Sequence, residues 1–293
     1  MMLYSIGRIG VPLFFMVSGY LMLQKEEPLV LFYTKRMRKV LIPLLFWSLI
    51  YAIFVRFVMH KEMTFSLNTP IFYHLWFLYV ILFLYLITPV LSAIRKSKYG
   101  KRIFTLSVGI WFILFILSPF LSKHFESTHT LYYPYGTYFI GFIGYYLLGY
   151  LLGDIKIEAK KAWRLSLVLF VFCMMLTVYL SYDAARLTHT FDSFYSGYYS
   201  LLVFVATLSA FFMLRYRANR PVLREQITIL ATLSFGIYLI HPIFLALLKR
   251  LFGFSSLPQN APYILPVALL TLTLSAFTIS LMRKSKTLKR VVP

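Results

Sequence analysis

HLWFLYVILFLYLITPVLSAI, the stretch from residue 74 to residue 94, decides the fold of this chain. It holds no Asp, Glu, Lys or Arg over 21 positions. A helix that crosses the hydrocarbon core of a bilayer needs about 20 mostly apolar residues. The stretch therefore predicts a membrane-spanning helix, and the basic run RKSKYGKR at 95–102 marks the point where that helix leaves the membrane.

Eight further stretches have the same character, in a chain that is 60% hydrophobic and 13% charged. A soluble domain carries about 25% charged residues. Because no stretch alternates with the period of two that a membrane barrel strand requires, the sequence predicts an all-α polytopic bundle of about nine transmembrane helices. The predicted spans are 4–23, 40–59, 74–94, 103–122, 136–153, 163–182, 198–214, 227–248 and 262–282.

The connections between the spans alternate between rich and poor in Lys and Arg. Of the 30 basic residues, 23 lie in the segments 24–39, 95–102, 154–164 and 215–226 and in the tail from 283. The positive-inside rule places these segments in the cytoplasm, so we expect a multi-pass protein of a bacterial cytoplasmic membrane with its N-terminus outside and its C-terminus inside. The same alternation accounts for the net charge of +21 without a nucleic-acid partner.

The remaining composition narrows the choice of function. The longest connection between spans is about 16 residues, too short for a soluble domain, so we predict a single transmembrane domain over 1–293. The one cysteine, Cys173, lies in an apolar stretch, which excludes an internal disulfide and a thiolate metal cluster, and no metal site is predicted. Phosphate-loop, hydrolase and dinucleotide motifs are absent. The spacings Gly141-x-x-Gly144 and Gly149-x-x-x-Gly153 are typical of a tightly packed membrane helix.

A cationic run, FYTKRMRKVLIP at 32–43, leads into the second span. On a helix Arg36 and Lys39 share a face, since they are three residues apart. Together with Arg38 they would suit the phosphates of an acyl-CoA or another nucleotide donor. The same cluster is typical of a topology-setting segment that binds lipid phosphates, and the residues by themselves favour this second interpretation.

Two histidines lie at the outer ends of spans. His74 opens the third span, where it would act as a base, orient a sugar hydroxyl or cap the helix at the interface. His241, followed by Pro242 in LSFGIYLIHP, lies in the outer half of the eighth span and needs a polar partner or water there. A buried structural histidine fits the position of His241 as well as a functional one does.

Two outer connections, 123–135 and 183–197, are rich in Tyr and His. Their rings would stack on sugar faces, or they form the aromatic belt that many membrane proteins place at the interface. The belt is the more common use of such residues.

Four segments taken together resemble the acyltransferase 3 family of integral-membrane O-acyltransferases. Within it they are most similar to bacterial O-acetyltransferases of surface polysaccharides, including those of O-antigen and enterobacterial common antigen. The resemblance extends from about residue 7 to the last span. The segments are GRIGVPLFFMVSGYLML at 7–23, FYTKRMRKVLIPLLFWSLIY at 32–51, FYHLWFLYVILFLYLITPVL at 72–91 and LSFGIYLIHP at 233–242.

The resemblance implies a helical bundle of about ten spans. It also implies transfer of an acyl group, usually acetyl, from cytoplasmic acyl-CoA to a hydroxyl of a cell-envelope polysaccharide or a lipid-linked sugar. Residue by residue, Arg36 and Lys39 match the family's basic pair, which with Arg38 would bind the donor. His74 with Trp76, and Tyr238 with His241, match later family positions and are the candidate catalytic residues.

The chain departs from the family at its start. The family's first helix carries an Arg and, about ten residues on, the His usually taken as catalytic, and no such helix precedes Met1. We therefore expect this helix, with the main catalytic His, to be encoded upstream, or the chain to be an inactive relative that acts as a scaffold. A lipid-linked sugar transporter or flippase is the other class to consider, although we find none of the internal repeats typical of transporters.

Overall fold

The computed structural model describes residues 2–60, 62, 70–125, 138–189, 193–217, 224–253 and 262–293. Within this part of the chain the fold is all-α, with nine helices that correspond one to one with the predicted spans. The all-α prediction is confirmed. The helices are α1 Met2–Leu23, α2 Leu29–Val58, α3 Trp76–Lys96, α4 Gly100–His124, α5 Tyr138–Gly153, α6 Ala159–Thr188, α7 Leu201–Arg217, α8 Arg224–Leu251 and α9 Ile264–Met282.

Seven of these helices are long and apolar enough to cross a membrane. The two shorter ones, α5 and α7, have 16 and 17 residues. At 1.5 Å per residue they reach roughly 24–26 Å, less than the bilayer core of about 30 Å. Helix α5 buries Phe142, Tyr145 and Tyr146 completely, so it packs among other helices. The chain is a multi-pass membrane protein with seven candidate spans.

Several helices extend beyond the apolar stretches that predicted them. Helix α2 begins at Leu29 rather than at residue 40, and α6 covers Ala159–Thr188 rather than 163–182. Hydropathy marks only the part of a helix that lies in lipid. Lys and Arg are good helix formers, so the backbone hydrogen bonding continues through the basic flanks. The cationic run at 35–39 therefore lies on a helix.

The helices form two compact units, the first built from Met1–Pro28 and Leu86–Asn219. In it α1 packs against α5 and α7, α6 packs on α7, and α4 packs on α5. The glycines of α5 permit this approach: a Cβ on Gly149 would meet the Met16 carbonyl, and one on Gly153 would meet the Tyr20 ring. The close packing that the glycine spacing predicted is confirmed.

An ion cluster joins two segments of the first unit. The Glu26 carboxylate lies 3.2 Å from Lys96 Nζ and 3.1 Å from Arg95 Nη2. Hydrogen bonding to Lys96, with its positive charge and the neighbouring Arg95, holds the pKa of Glu26 below its ordinary value of 4.5. The carboxylate is fully exposed, so solvent and salt screen this interaction strongly.

The second unit comprises Leu29–Tyr85 and Arg220–Pro293, and it contains every candidate catalytic or donor-binding residue. Helices α8 and α9 pack together, and Gly236 of α8 faces Ile279 of α9. The chain then returns to α2, where Trp47 Nε1 donates a hydrogen bond of 3.0 Å to the Val291 carbonyl. These contacts hold α2, α8 and α9 in one framework.

Candidate active site

His74 lies in a single 3-10 turn, Tyr73–Leu75, directly before α3. Its side chain is buried, with 4% exposed. The Tyr51 ring from α2 meets the imidazole edge to face, with 4.8 Å between ring centroids. Phe72 stacks on Tyr51 at 4.5 Å, and its ring also lies 5.7 Å from that of His74. Aromatic rings therefore surround the imidazole and shield it from solvent.

The imidazole of His74 does not cap helix α3. Within the described residues neither ring nitrogen of His74 meets a hydrogen-bond partner of normal geometry. Its electrostatic neighbours are the ring of His241 and the carbonyl of Leu239. A buried neutral imidazole has one N–H group that needs a hydrogen-bond acceptor, and a bound substrate or water would supply it.

His241 has a defined tautomer because of the proline that follows it. Pro242 has no N–H, so the carbonyl of Tyr238, four residues earlier, lacks its usual helical donor. The Nδ1 atom of His241 lies 2.7 Å from this carbonyl oxygen. A carbonyl only accepts, so Nδ1 carries the proton and Nε2 is the basic nitrogen of the neutral ring. The sequence HP in a membrane helix thus produces an oriented base.

The two histidines meet in the second unit. Their ring centroids are 5.7 Å apart, with the rings edge to face. Tyr238 links them: its ring lies 5.2 Å from that of His74, and its hydroxyl donates to the His74 carbonyl. Tyr51 ties α2 to the same group, because its hydroxyl donates to the Leu239 carbonyl at 2.7 Å. We call Tyr51, His74, Tyr238 and His241 the histidine cluster.

The cationic segment, Lys35, Arg36, Arg38 and Lys39, lies in the first part of α2. Arg36 is buried, with 9% exposed, and its guanidinium carbon lies 4.3 Å from the centroid of the Phe32 ring. The Tyr85 hydroxyl also feels the charge of Arg36. The other three cations are exposed. Arg36 and Lys39 share a helix as predicted, but only Arg36 is held on an aromatic platform.

The chain matches the acyltransferase domain family Acyl_transf_3 over residues 1–281. The chain belongs to the acyltransferase 3 family. No curated protein matches it, and no solved structure does. Membership makes the protein a membrane transferase of acyl groups other than aminoacyl groups, so the resemblance seen in the sequence is confirmed.

The geometry of this acyltransferase includes residues that the sequence did not single out. Tyr51 and Phe72 form the walls around His74. The hydroxyl of Tyr51 lies deep in an apolar span, where a buried phenol needs a hydrogen-bond partner. The position of Tyr51, at the same end of its span as His74, could have marked it as part of the site. The sequence could not identify its hydrogen-bond partner, because Leu239 is 188 residues away.

Proposed function

We propose that the protein is an O-acyltransferase, in particular an O-acetyltransferase, of the bacterial cytoplasmic membrane. Its donor is acyl-CoA, and its acceptor is a hydroxyl of a cell-envelope polysaccharide or a lipid-linked sugar. Its N-terminus is outside the cell and its C-terminus inside. The family match supports the reaction class, and the distribution of basic residues supports the orientation.

The burial of Arg36 is the observation that supports acyl-CoA as the donor. A lysine or arginine that only sets topology stays in the headgroup region with its charge in water. Arg36 instead is buried and stacked on Phe32. A stacked guanidinium keeps its edge N–H groups in a fixed plane for bidentate bonds to phosphate. Lys39 and Arg38, exposed beside it, add charge for the remaining phosphates.

The donor extends from the cationic segment to the histidine cluster. Arg36 and Tyr51 are both on α2, fifteen positions apart. At 1.5 Å per residue this is about 22 Å along the helix axis. In the proposed orientation the phosphates lie at the inner surface, and the pantetheine arm reaches outward along α2. The thioester then meets the histidines in the outer half of the membrane.

The transfer step needs a base and a path for the leaving group. The acceptor oxygen attacks the thioester carbonyl carbon, forming the new ester C–O bond, and its proton passes to Nε2 of His241, which takes the role that the resemblance gives to the histidine expected upstream. The C–S bond then breaks, and the CoA sulfur leaves as a thiolate that takes the proton from Nε2 of His241, which returns this imidazole to its neutral form. General base catalysis contributes roughly 10²–10⁴ in rate. The His74 ring lies 5.7 Å from the His241 ring, and His74 would donate a hydrogen bond to the developing oxyanion.

The test uses the full-length gene product in lipid nanodiscs, with acetyl-CoA as the donor. CoA release is followed in the presence of envelope glycan extracts, and new acetyl esters are detected by mass spectrometry. Arg36→Gln should raise KM for acetyl-CoA by about 10- to 100-fold, since a hydrogen bond to a charged group contributes roughly 1.5–3 kcal/mol. Arg56→Gln is the matched control, because Arg56 is an exposed arginine at the opposite end of α2.

Two results would contradict the proposal. One is equal KM values for acetyl-CoA in Arg36→Gln and Arg56→Gln. The other is movement of a lipid-linked sugar across the bilayer without acetyl-CoA and without any ester formed. That second result would favour the transporter alternative.

A further inference from the structure

The first unit contains a cavity of about 440 Å³ that the reaction described above does not use. It lies between the start of α1, the end of α4 and the segment 193–201. Small-molecule sites in proteins measure roughly 300–1,000 Å³. The cavity is therefore large enough for a ligand of the size of one or two sugar rings.

The lining of this cavity combines positive charge with aromatic rings. Arg8 and Lys123 both line it, and none of the described residues that line it is Asp or Glu. The guanidinium carbon of Arg8 lies 4.6 Å from the centroid of Tyr198, and Lys123 Nζ lies 5.6 Å from that of Phe194. Each cation is thus oriented by a ring that also borders the cavity. The field inside favours an anion.

The segment SFYSGYYS at 193–200 has the composition of a recognition loop. Tyr supplies a broad, rigid and amphipathic contact surface at low entropic cost, and Ser and Gly supply adaptable hydrogen bonding. Sugars offer apolar faces and a rim of hydroxyls, which is what such a loop binds. Ser193 and Ser200 line the cavity with these rings.

The framework holds the aromatic wall in place. The Tyr145 hydroxyl donates to the Tyr198 carbonyl at 2.6 Å. Tyr199 packs against Gly141, where a Cβ would collide with its ring, and against Phe115 at 5.5 Å. Phe115 belongs to a π-helical turn, Ile113–Leu117, inside α4. Such turns are rare and are frequent at functional sites.

We propose that this cavity binds an anionic sugar unit of the acceptor, a sugar that carries a phosphate or a carboxylate. The assignment of the ligand as acceptor rests on the proposed function. In the proposed orientation the cavity opens toward the outer surface, where envelope glycans are assembled. The guanidinium of Arg8 and the ammonium of Lys123 bind the anion, and Tyr198 and Phe194 stack on the ring.

The test is calorimetric titration of the full-length protein in phosphatidylcholine nanodiscs, without acetyl-CoA. The probes are N-acetylglucosamine 1-phosphate, neutral N-acetylglucosamine and inorganic phosphate. We expect the sugar phosphate to bind most tightly of the three. Arg8→Gln and Lys123→Gln should each weaken it by about tenfold or more. Phe194→Leu keeps both charges and should weaken the sugar phosphate more than inorganic phosphate.

Lys101→Gln is the matched control, because Lys101 is an exposed lysine at the other end of α4. Equal affinities in Lys123→Gln, Arg8→Gln and Lys101→Gln would overturn the inference. So would equal affinity for sugar phosphate and inorganic phosphate. A third contrary result is displacement of the sugar phosphate by phosphatidylglycerol added to the nanodiscs, which would identify a lipid-headgroup site. Failure of the proposed function is distinguishable, since it would appear as absent CoA release with sugar-phosphate binding unchanged.

Discussion

Replacing Pro242 by Ala should make the protein more stable and less active. The substitution returns an N–H to α8, four residues after Tyr238, and this N–H competes with His241 Nδ1 for the same carbonyl. Proline inside a helix costs about 3 kcal/mol relative to alanine. The free energy of unfolding should therefore rise by up to about 3 kcal/mol, and less where the surrounding helices have adapted to the proline.

The loss of activity follows from the tautomer of His241. The hydrogen bond to the Tyr238 carbonyl contributes roughly 0.5–1.5 kcal/mol, and it favours the form in which Nε2 is basic. Each 1.36 kcal/mol is a factor of ten, so weakening this bond should lower the acyl-transfer rate about twofold to tenfold. His241→Gln removes the base altogether and should lower the rate by roughly 10²–10⁴.

Pro43→Ala provides the matched control. Pro43 also lies inside an apolar helix of the second unit, and the carbonyl it leaves without a helical donor belongs to Lys39. This variant should gain stability and retain the rate constant of acyl transfer. Thermal unfolding in nanodiscs measures the first quantity, and CoA release at saturating acetyl-CoA measures the second. Full activity of Pro242→Ala beside an inactive His241→Gln would refute the tautomer argument, and full activity of His241→Gln would refute the role of the base.

Two further predictions concern the first unit. The pKa of Glu26 is lowered, chiefly by its hydrogen bond to Lys96, so its stabilising contribution is complete above pH 4.5 and is lost as the pH falls through the lower, folded-state pKa. Glu26→Gln should remove this part of the pH dependence of Tm, and high salt should mimic the substitution; an unchanged pH profile would contradict it. Gly149→Ala should destabilise by about 1–3 kcal/mol, because the new Cβ meets the Met16 carbonyl. Gly109→Ala, where a Cβ meets nothing within 4 Å, should instead stabilise slightly, and equal Tm shifts in the two variants would contradict the packing argument.

The helices could be predicted from the sequence because lipid imposes one strong constraint. Each backbone N–H and C=O group in the bilayer core needs a hydrogen-bond partner within the protein. An apolar stretch such as 74–94 is therefore expected to be helical. The ends of the helices were harder to predict. Hydropathy falls where Lys35 and its neighbours begin, but α2 starts already at Leu29, because Lys and Arg are good helix formers and the helix continues beyond the apolar stretch.

The cationic segment shows that the local sequence does not determine every feature of a site. Helical spacing predicted Arg36 and Lys39 on one side of a helix, and in the structure both lie on helix α2. Their burial differs because Arg36 packs on Phe32, four residues earlier, and lies near Tyr85, which is 49 residues away. The second of these contacts depends on how α3 docks on α2. Periodicity within one helix carries no information about such a partner.

For His241, in contrast, the local sequence alone is enough to explain the tautomer. The order His-Pro fixes the relation between a missing N–H and a neighbouring ring nitrogen, whatever surrounds the helix. The vacant carbonyl belongs to Tyr238, and the hydroxyl of the same residue donates to the His74 carbonyl. One residue thus orients His241 through its backbone and ties down the turn that carries His74 through its side chain. A change at Tyr238 should therefore disturb both histidines together, which separates it from a change at either histidine alone.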